Sequence, residues 1–238
     1  MFLYDWTIIL LIPALIFTFY AQHKVNSAYK KYSTIPNSKG YTAAEVARQL
    51  LIANRITDVT VEQLKGSSIQ SDLMNHYDPG TKILRLSEGV YNSPSLAAIG
   101  IAAHETGHAI QHNMGYTPLA LRSGLVPVAN IGTRMAMPLF IVGIFLASGY
   151  GSIGMFLMNA GILLYTLAVV FYIITLPVEY NASGRAIELL SEYRILSQDE
   201  IEPAKKVLSA AALTYVAAAL TALLTLLRLI LIANGRRR

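Results

Sequence analysis

Two histidines and one glutamate at positions 104–108, His-Glu-Thr-Gly-His, have the types and spacing of a metal-dependent hydrolase site. On a helix, His104 and His108 lie one turn apart on the same face, so both imidazoles can bind one Zn²⁺. Glu105 lies about 100° further round, where its carboxylate can act as general base toward a zinc-activated water. The sequence therefore predicts His104 and His108 as metal ligands and Glu105 as the catalytic residue.

A catalytic zinc site needs a third protein ligand and leaves one position open for water. The chain has no cysteine, so this ligand is a histidine or a carboxylate. Glu179 is the favoured candidate, because it follows Pro177 at the end of an apolar stretch, where an unpaired carboxylate is costly. Pairing with Arg185 is its alternative role. The other candidate carboxylates are Asp78, Glu88, Glu188 and Glu192.

His112 follows His108 by one more turn, but the rise of a helix separates it from His104 by about 12 Å. This distance is too long for the two imidazoles to share one ion. A donor for the oxyanion is also needed. The sequence leaves that role open among five residues: His76, Tyr77, His112, Tyr180 and Arg185.

Composition indicates an integral membrane protein. The chain of 238 residues is 54% hydrophobic and 14% charged, whereas a soluble protein carries about 25% charged residues. Twenty helical residues cross a hydrocarbon layer of about 30 Å. Four stretches meet that length: 2–21, 125–150, 153–176 and 208–227. The first lacks the positive start of a cleaved signal peptide, the rival interpretation. The formal charge of +5 is interpreted as favouring contact with anionic lipids, because the basic residues cluster beside the apolar stretches. The sequence shows no basic-aromatic module of the kind that binds nucleic acid.

Residues 23–124 have the composition of a small α+β region. Thr42 and Glu45 form a capping box that begins a helix over 43–56. Strands are predicted at 57–64 and 82–86, with a loop over 66–77 and a turn at Asp78-Pro79-Gly80 between them. Ser93 or Ser95 is expected to cap the helix that carries the His-Glu motif. The fold class is therefore a mainly α membrane protein with about four transmembrane helices, a zincin-like metalloprotease region and a short β-hairpin or edge strand.

Five segments follow from this pattern. They are transmembrane helix 1 at 1–22, the catalytic region at 23–124, transmembrane helices 2 and 3 at 125–176, the helix with the third ligand at 177–196, and a long helix with transmembrane helix 4 and a basic tail at 197–238.

Four spans place the segments 23–124 and 177–205 on one side of the membrane, where they can share a site. Basic residues near the span ends favour the cytoplasmic face of the plasma membrane for that side. They are Lys24, Lys30, Lys31, Arg122, Arg194, Lys205 and Lys206. The arginines at 236–238 argue for the opposite orientation.

The chain resembles the YugP-like "putative neutral zinc metallopeptidase" family of bacterial membrane proteins over nearly its whole length. The resemblance rests on the early apolar span and on four segments: NHYDP at 75–79, TKILRLS at 81–87, AAHETGHAIQH at 102–112 and PVEYNAS at 177–183. The order of parts is also similar to the HtpX-like proteases and their CAAX-processing relatives. In those proteins a Glu-x-x-x-Asp segment supplies the third zinc ligand and a supporting Asp.

This resemblance implies a gluzincin that holds one Zn²⁺ with His104, His108 and Glu179. Ser183 stands where the supporting Asp is expected, and Asn181 or another residue is an alternative support. The resemblance further implies that 82–86 is the edge strand of the site, along which an extended substrate peptide pairs.

The predicted function is a membrane-embedded zinc metalloendopeptidase that cleaves peptides or membrane proteins. One alternative is intramembrane cleavage, which the mixed polarity of the helix 95–113 disfavours. The other is a proteolytically inactive or latent zinc-binding scaffold or adaptor. Specificity, a regulatory membrane partner and a homo-oligomer are left open by the sequence.

Overall fold

The computed structural model describes residues 6–64, 75–147, 149 and 151–235. A 3₁₀ segment, Trp6–Leu11, leads into the first α-helix. The helices and strands in the described part of the chain are α1 (Ile12–Tyr32), α2 (Ala43–Ala53), β1 (Thr60–Gln63), β2 (His76–Asp78), β3 (Ile83–Leu86), α3 (Glu88–Tyr91), α4 (Leu96–Asn113), α5 (Thr117–Leu146), α6 (Gly151–Glu192) and α7 (Gln198–Gly235).

Four of the helical segments are long and apolar enough to cross a membrane: Trp6–Tyr32, α5, α6 and α7. Large apolar side chains on them are exposed, with Phe19 and Phe145 at 69% and Phe156 at 70%. Such a surface is unfavourable in water and suits lipid. The predicted mainly α membrane protein with four transmembrane helices is confirmed. The predicted basic tail at 236–238 lies outside the described residues.

Proline does not end the third of these helices. Pro177 lies inside α6, which runs as one helix of 42 residues from Gly151 to Glu192. Transmembrane helices accommodate proline because neighbouring groups satisfy the freed backbone carbonyl. One helix therefore contains both the apolar stretch and the segment with Glu179.

The chain divides into two compact units. One comprises Met1–Ala21, Ala120–Leu176 and Thr214–Arg238, and the other Gln22–Leu119 and Pro177–Leu213. In the first, Phe140, Ile144, Met158, Leu229 and Ala233 form a buried apolar cluster.

The second unit has its own core, in which α2 packs on α4. Leu50, Ile99 and Leu190 are fully buried there. Both predicted helix starts are confirmed. Thr42 and Glu45 form the complete capping box of α2, and the Ser95 side chain accepts a hydrogen bond from the Ala98 amide at the start of α4. These caps fix where the core helices begin.

The three strands form a small sheet in the order β1-β3-β2. β3 pairs in parallel with β1 and antiparallel with β2. The predicted edge position of 82–86 is therefore wrong, because β3 is the central strand and both of its sides are occupied. The edge position was implied by the family resemblance, and β2, whose residues 76 and 77 fell in the predicted loop, occupies that side of β3. Residues 66–74 of the predicted loop lie outside the described residues.

β2 and β3 form a hairpin, whereas the two strands predicted from the sequence, at 57–64 and 82–86, pair in parallel. The predicted turn at 78–80 is confirmed, since Asp78 accepts hydrogen bonds from the Gly80 amide and the Thr81 hydroxyl at 2.9 and 2.6 Å. These bonds hold the pKa of Asp78 below its usual range. β2 is only three residues long, which is too short to show the alternation that identifies a strand in a sequence.

Glu200, in the first turn of α7, connects that helix to the segment before α2. Its carboxylate accepts hydrogen bonds from the Ser38 amide at 2.6 Å and the Ser197 amide at 2.8 Å. We expect Glu200→Gln to lower the free energy of unfolding by about 1–2 kcal/mol, because the new amide group faces one of two backbone donors. Thermal unfolding in detergent measures the loss. Glu202→Gln is the control, since Glu202 has an exposed ion pair with Lys206; an equal loss in both variants would contradict the assignment.

Candidate metal centre

His104, His108 and Glu179 converge in the second unit, with one ligand atom of each within 4.8 Å of the others. The Glu179 Oε2 atom lies 3.1 Å from His104 Nε2 and 3.6 Å from His108 Nε2. The two imidazole rings are nearly perpendicular, at 83°. The structure thus brings together α4 and α6 at the three side chains that the sequence predicts as metal ligands.

This arrangement fits a zinc ion. Ligand atoms of a tetrahedral zinc site lie about 3.3 Å apart when the metal–ligand bonds are roughly 2.0–2.1 Å. The observed separations of 3.1 and 3.6 Å bracket that value. Two imidazole nitrogens and a carboxylate oxygen are also the donor set of a catalytic zinc site with one open position.

A close backbone contact between α4 and α6 sets these distances. A Cβ atom on Gly107 would lie 2.6 Å from the carbonyl oxygen of Ala182. No side chain fits at that distance, so glycine is required between His104 and His108. Ala182 lies one turn after Glu179, and the contact therefore holds the carboxylate against both imidazoles.

Each imidazole has a partner at its other nitrogen. His104 Nδ1 lies 3.0 Å from the Ser183 hydroxyl, and His108 Nδ1 lies 3.0 Å from the Gln111 side-chain oxygen. Such partners orient a ligand imidazole so that Nε2 faces the metal. Ser183 therefore occupies the place of the expected Asp and contacts His104, while Asn181 contributes indirectly, through Gln111.

The carboxylate of Glu105 is buried beside the cluster, at 8% exposure. Its Oε2 atom accepts a hydrogen bond of 3.0 Å from the Tyr77 amide of β2. β2 thus fixes the orientation of the predicted general base.

The Tyr77 side chain continues along α4 and places its hydroxyl 2.8 Å from His112 Nδ1. Burial, together with the charges of Asp58 and Asp78, raises the pKa of Tyr77 to about 12. The hydroxyl therefore keeps its proton. His112 contacts the sheet rather than the metal cluster, as its helical spacing predicts.

The surroundings of His108 change the pKa of its imidazole. Burial lowers this pKa, but the neighbouring Glu179 and Glu105 carboxylates raise it more, so the pKa lies above its usual range. A proton and a metal cation compete for the same imidazole nitrogen. The carboxylate charges that favour a proton on His108 in the absence of metal also favour the binding of a divalent cation at the same place.

The remaining candidates lie elsewhere. The metal-ligand cluster found in the described part of the chain does not include Asp78, Glu88, Glu188 or Glu192. Arg185 donates to Asn181 and Met114. Gln111 was not identified as a site residue from the sequence. The available signal was its position one turn after His108, the residue whose ring it contacts.

Comparison with known proteins gives the family of the chain. A family model described as "putative neutral zinc metallopeptidase" matches residues 7–234. The chain belongs to this family. Zinc is the metal in the family's name, and the cluster of His104, His108 and Glu179 provides a group of side chains suited to hold it. The resemblance stated from the sequence is confirmed.

A curated relative supports the membrane location. The chain is 46% identical over 230 residues to the "Putative membrane protease YugP" of Bacillus subtilis (strain 168). The aligned residues cover 96% of this chain and 97% of that protein. No solved structure matches the chain. The family, this relative and the four apolar helices together identify a membrane protein of a zinc metallopeptidase family.

The contact at Gly107 gives a direct test of the geometry. Gly107→Ala forces α4 and α6 apart, and we expect a loss of about 1–3 kcal/mol in stability from overpacking together with weaker zinc binding. Gly184→Ala is the matched control on α6, because a Cβ there meets nothing within 4 Å, and alanine raises helix propensity by about 1 kcal/mol. Thermal unfolding and zinc titration measure both effects. Equal behaviour of the two variants would contradict the close approach.

Proposed function

We propose that the chain is a zinc-dependent endopeptidase in which His104, His108 and Glu179 hold one Zn²⁺ and Glu105 acts as general base. The observation that supports this most is the convergence of the three ligand atoms within 4.8 Å, next to a carboxylate that a strand amide orients. A bound Zn²⁺ would polarise the scissile carbonyl and lower the pKa of water toward about 7.

The protein's own groups then carry the protons. The Glu105 carboxylate takes a proton from the attacking water and transfers it to the nitrogen of the departing amine. The Tyr77 amide restricts rotation of that carboxylate through Oε2. Glu105 is 8% exposed. The hydrogen bond from the Tyr77 amide and the interaction of the carboxylate with the attacking water are stronger in such a low-dielectric environment than in bulk water.

We further propose that the site lies on the cytoplasmic face of the plasma membrane and cleaves peptides or membrane proteins there. An even number of spans puts α4 and the end of α6 on the same side, as their shared site requires. The basic residues near the span ends, among them Lys24, Arg122 and Lys205, favour the cytoplasm. Intramembrane cleavage is disfavoured, because α4 is not among the four apolar helices found in the described residues.

Replacing the general base separates catalysis from metal binding. We expect Glu105→Gln to keep zinc at wild-type content and to lower peptide hydrolysis by at least about 100-fold, because general-base catalysis contributes roughly that much. Zinc analysis and cleavage of a peptide panel by the purified protein measure the two properties. Glu188→Gln is the control, since Glu188 is exposed on α6. Unchanged hydrolysis in Glu105→Gln would exclude the proposed role.

The scaffold alternative makes the opposite prediction for the wild-type chain. Structural zinc sites are closed by four protein ligands, whereas catalytic sites use three. The cluster in the described residues has three members, which favours catalysis. A zinc-loaded wild-type protein that cleaves neither peptides nor membrane proteins would instead support the scaffold.

A further inference from the structure

We propose that Gln111 is a positioning residue that fixes the imidazole of His108 in the form with its proton on Nδ1 and its Nε2 lone pair directed at the metal. Gln111 is fully buried, at 0% exposure. Its amide lies between α4 and α6 and contacts groups on both helices. This inference rests on the proposed function, because it assigns His108 as a zinc ligand.

The direction of the Gln111 amide follows from its partners. Gln111 Nε2 lies 2.9 Å from the Val178 carbonyl oxygen, a group that can only accept a hydrogen bond. The amide nitrogen must therefore face Val178. The amide oxygen then faces His108 Nδ1, at 3.0 Å. Since this oxygen can only accept, His108 Nδ1 must donate, and the neutral ring has no proton on Nε2.

A second path of hydrogen bonds imposes the same direction. Arg185 Nε, which can only donate, lies 2.9 Å from Asn181 Oδ1. Asn181 therefore presents its oxygen, and that oxygen also accepts from Gln111 Nε2 at 2.9 Å. The guanidinium of Arg185 and the carbonyl of Val178 thus determine, through one buried amide, which nitrogen of His108 is available to a cation.

The proton position on the other imidazole, that of His104, is not fixed in this way. His104 Nδ1 faces the hydroxyl of Ser183, and a hydroxyl can either donate or accept. Ser183 therefore orients the ring of His104 without selecting its proton position. Of the two imidazoles, only His108 has an acceptor-only partner at Nδ1, and this partner fixes a proton on that nitrogen.

Two substitutions at position 111 distinguish positioning from packing. Gln111→Met keeps the volume and removes the acceptor at His108 Nδ1, so we expect zinc affinity to fall about 10–100-fold, as for other partners of metal ligands. Gln111→Glu keeps that acceptor, but its second carboxylate oxygen then faces two other acceptors, the Val178 carbonyl oxygen and Asn181 Oδ1. We therefore expect Gln111→Glu to have the lower melting temperature without zinc and the higher zinc affinity of the two.

Zinc affinity is measured by competition with a chromogenic chelator, and melting temperature on the metal-free protein. In zinc-loaded protein labelled with ¹⁵N-histidine, the Nδ1–H proton of His108 should keep its hydrogen-bonded chemical shift in Gln111→Glu and move upfield in Gln111→Met, which removes the acceptor of that proton. Gln63→Met, at an exposed position of β1, is the control for the substitution itself. Zinc affinity of Gln111→Met within twofold of wild type, or affinities that merely follow the melting temperatures, would overturn the inference.

Asn181→Ala keeps the proposal testable if the variants at position 111 do not fold. It removes one acceptor of the Gln111 amide, and we expect a zinc affinity a few-fold lower than in Asn113→Ala, an exposed control on α4. Equal affinities would overturn the inference. A wild-type chain that binds no zinc would contradict the proposed function itself, whereas zinc binding that ignores all these substitutions would contradict the role of Gln111 alone.

Discussion

The Glu179 carboxylate is 1% exposed and lies between two imidazoles. A buried charge is tolerated when it is paired or binds a metal, and removing one partner of a buried charge pair costs about 3–5 kcal/mol. This requirement connects α4 to the second half of α6, two segments about 70 residues apart in the chain. The second unit packs these two segments together, so that the Glu179 carboxylate meets both imidazoles.

That packing is close because of small and polar residues. Gly107 lets the backbones of α4 and α6 meet at Ala182, and the Gln111 amide bridges the same two helices. The sheet also contributes, because the Tyr77 amide of β2 contacts Glu105. His104 and Glu105 are thus supported from other elements, by Ser183 and the Tyr77 amide. His108 is supported by Gln111 of its own helix, which is in turn anchored to α6 through the Val178 carbonyl. Precise positioning of functional groups needs such supports.

The sequence predicted those features that depend on local spacing. The pair His104 and His108, the capping of α2 and α4, and the four apolar helices follow from periodicity or cap chemistry. Glu179, the candidate for the third ligand, was found because its carboxylate stands beside an apolar stretch, where a charge needs a partner. A known family pattern added the expected place of Ser183.

The features that the sequence did not predict depend on tertiary contacts. β2 is too short to have a pattern, and its pairing makes β3 the central strand, where the family resemblance had implied an edge strand. Gln111 has no motif of its own, and its role arises only when α6 brings the Val178 carbonyl next to it. The continuation of α6 through Pro177 is likewise not readable from the proline itself, because transmembrane helices accommodate proline.

The central claim is that one ion is bound jointly by α4 and α6, and a structure of the zinc-loaded wild-type protein with anomalous scattering data tests it most directly. We expect one zinc peak with His104 Nε2 and His108 Nε2 at roughly 2.0–2.1 Å and a Glu179 oxygen at roughly 2.0–2.2 Å. Zinc bound elsewhere, or bound by the two histidines with Glu179 turned away, would contradict the account.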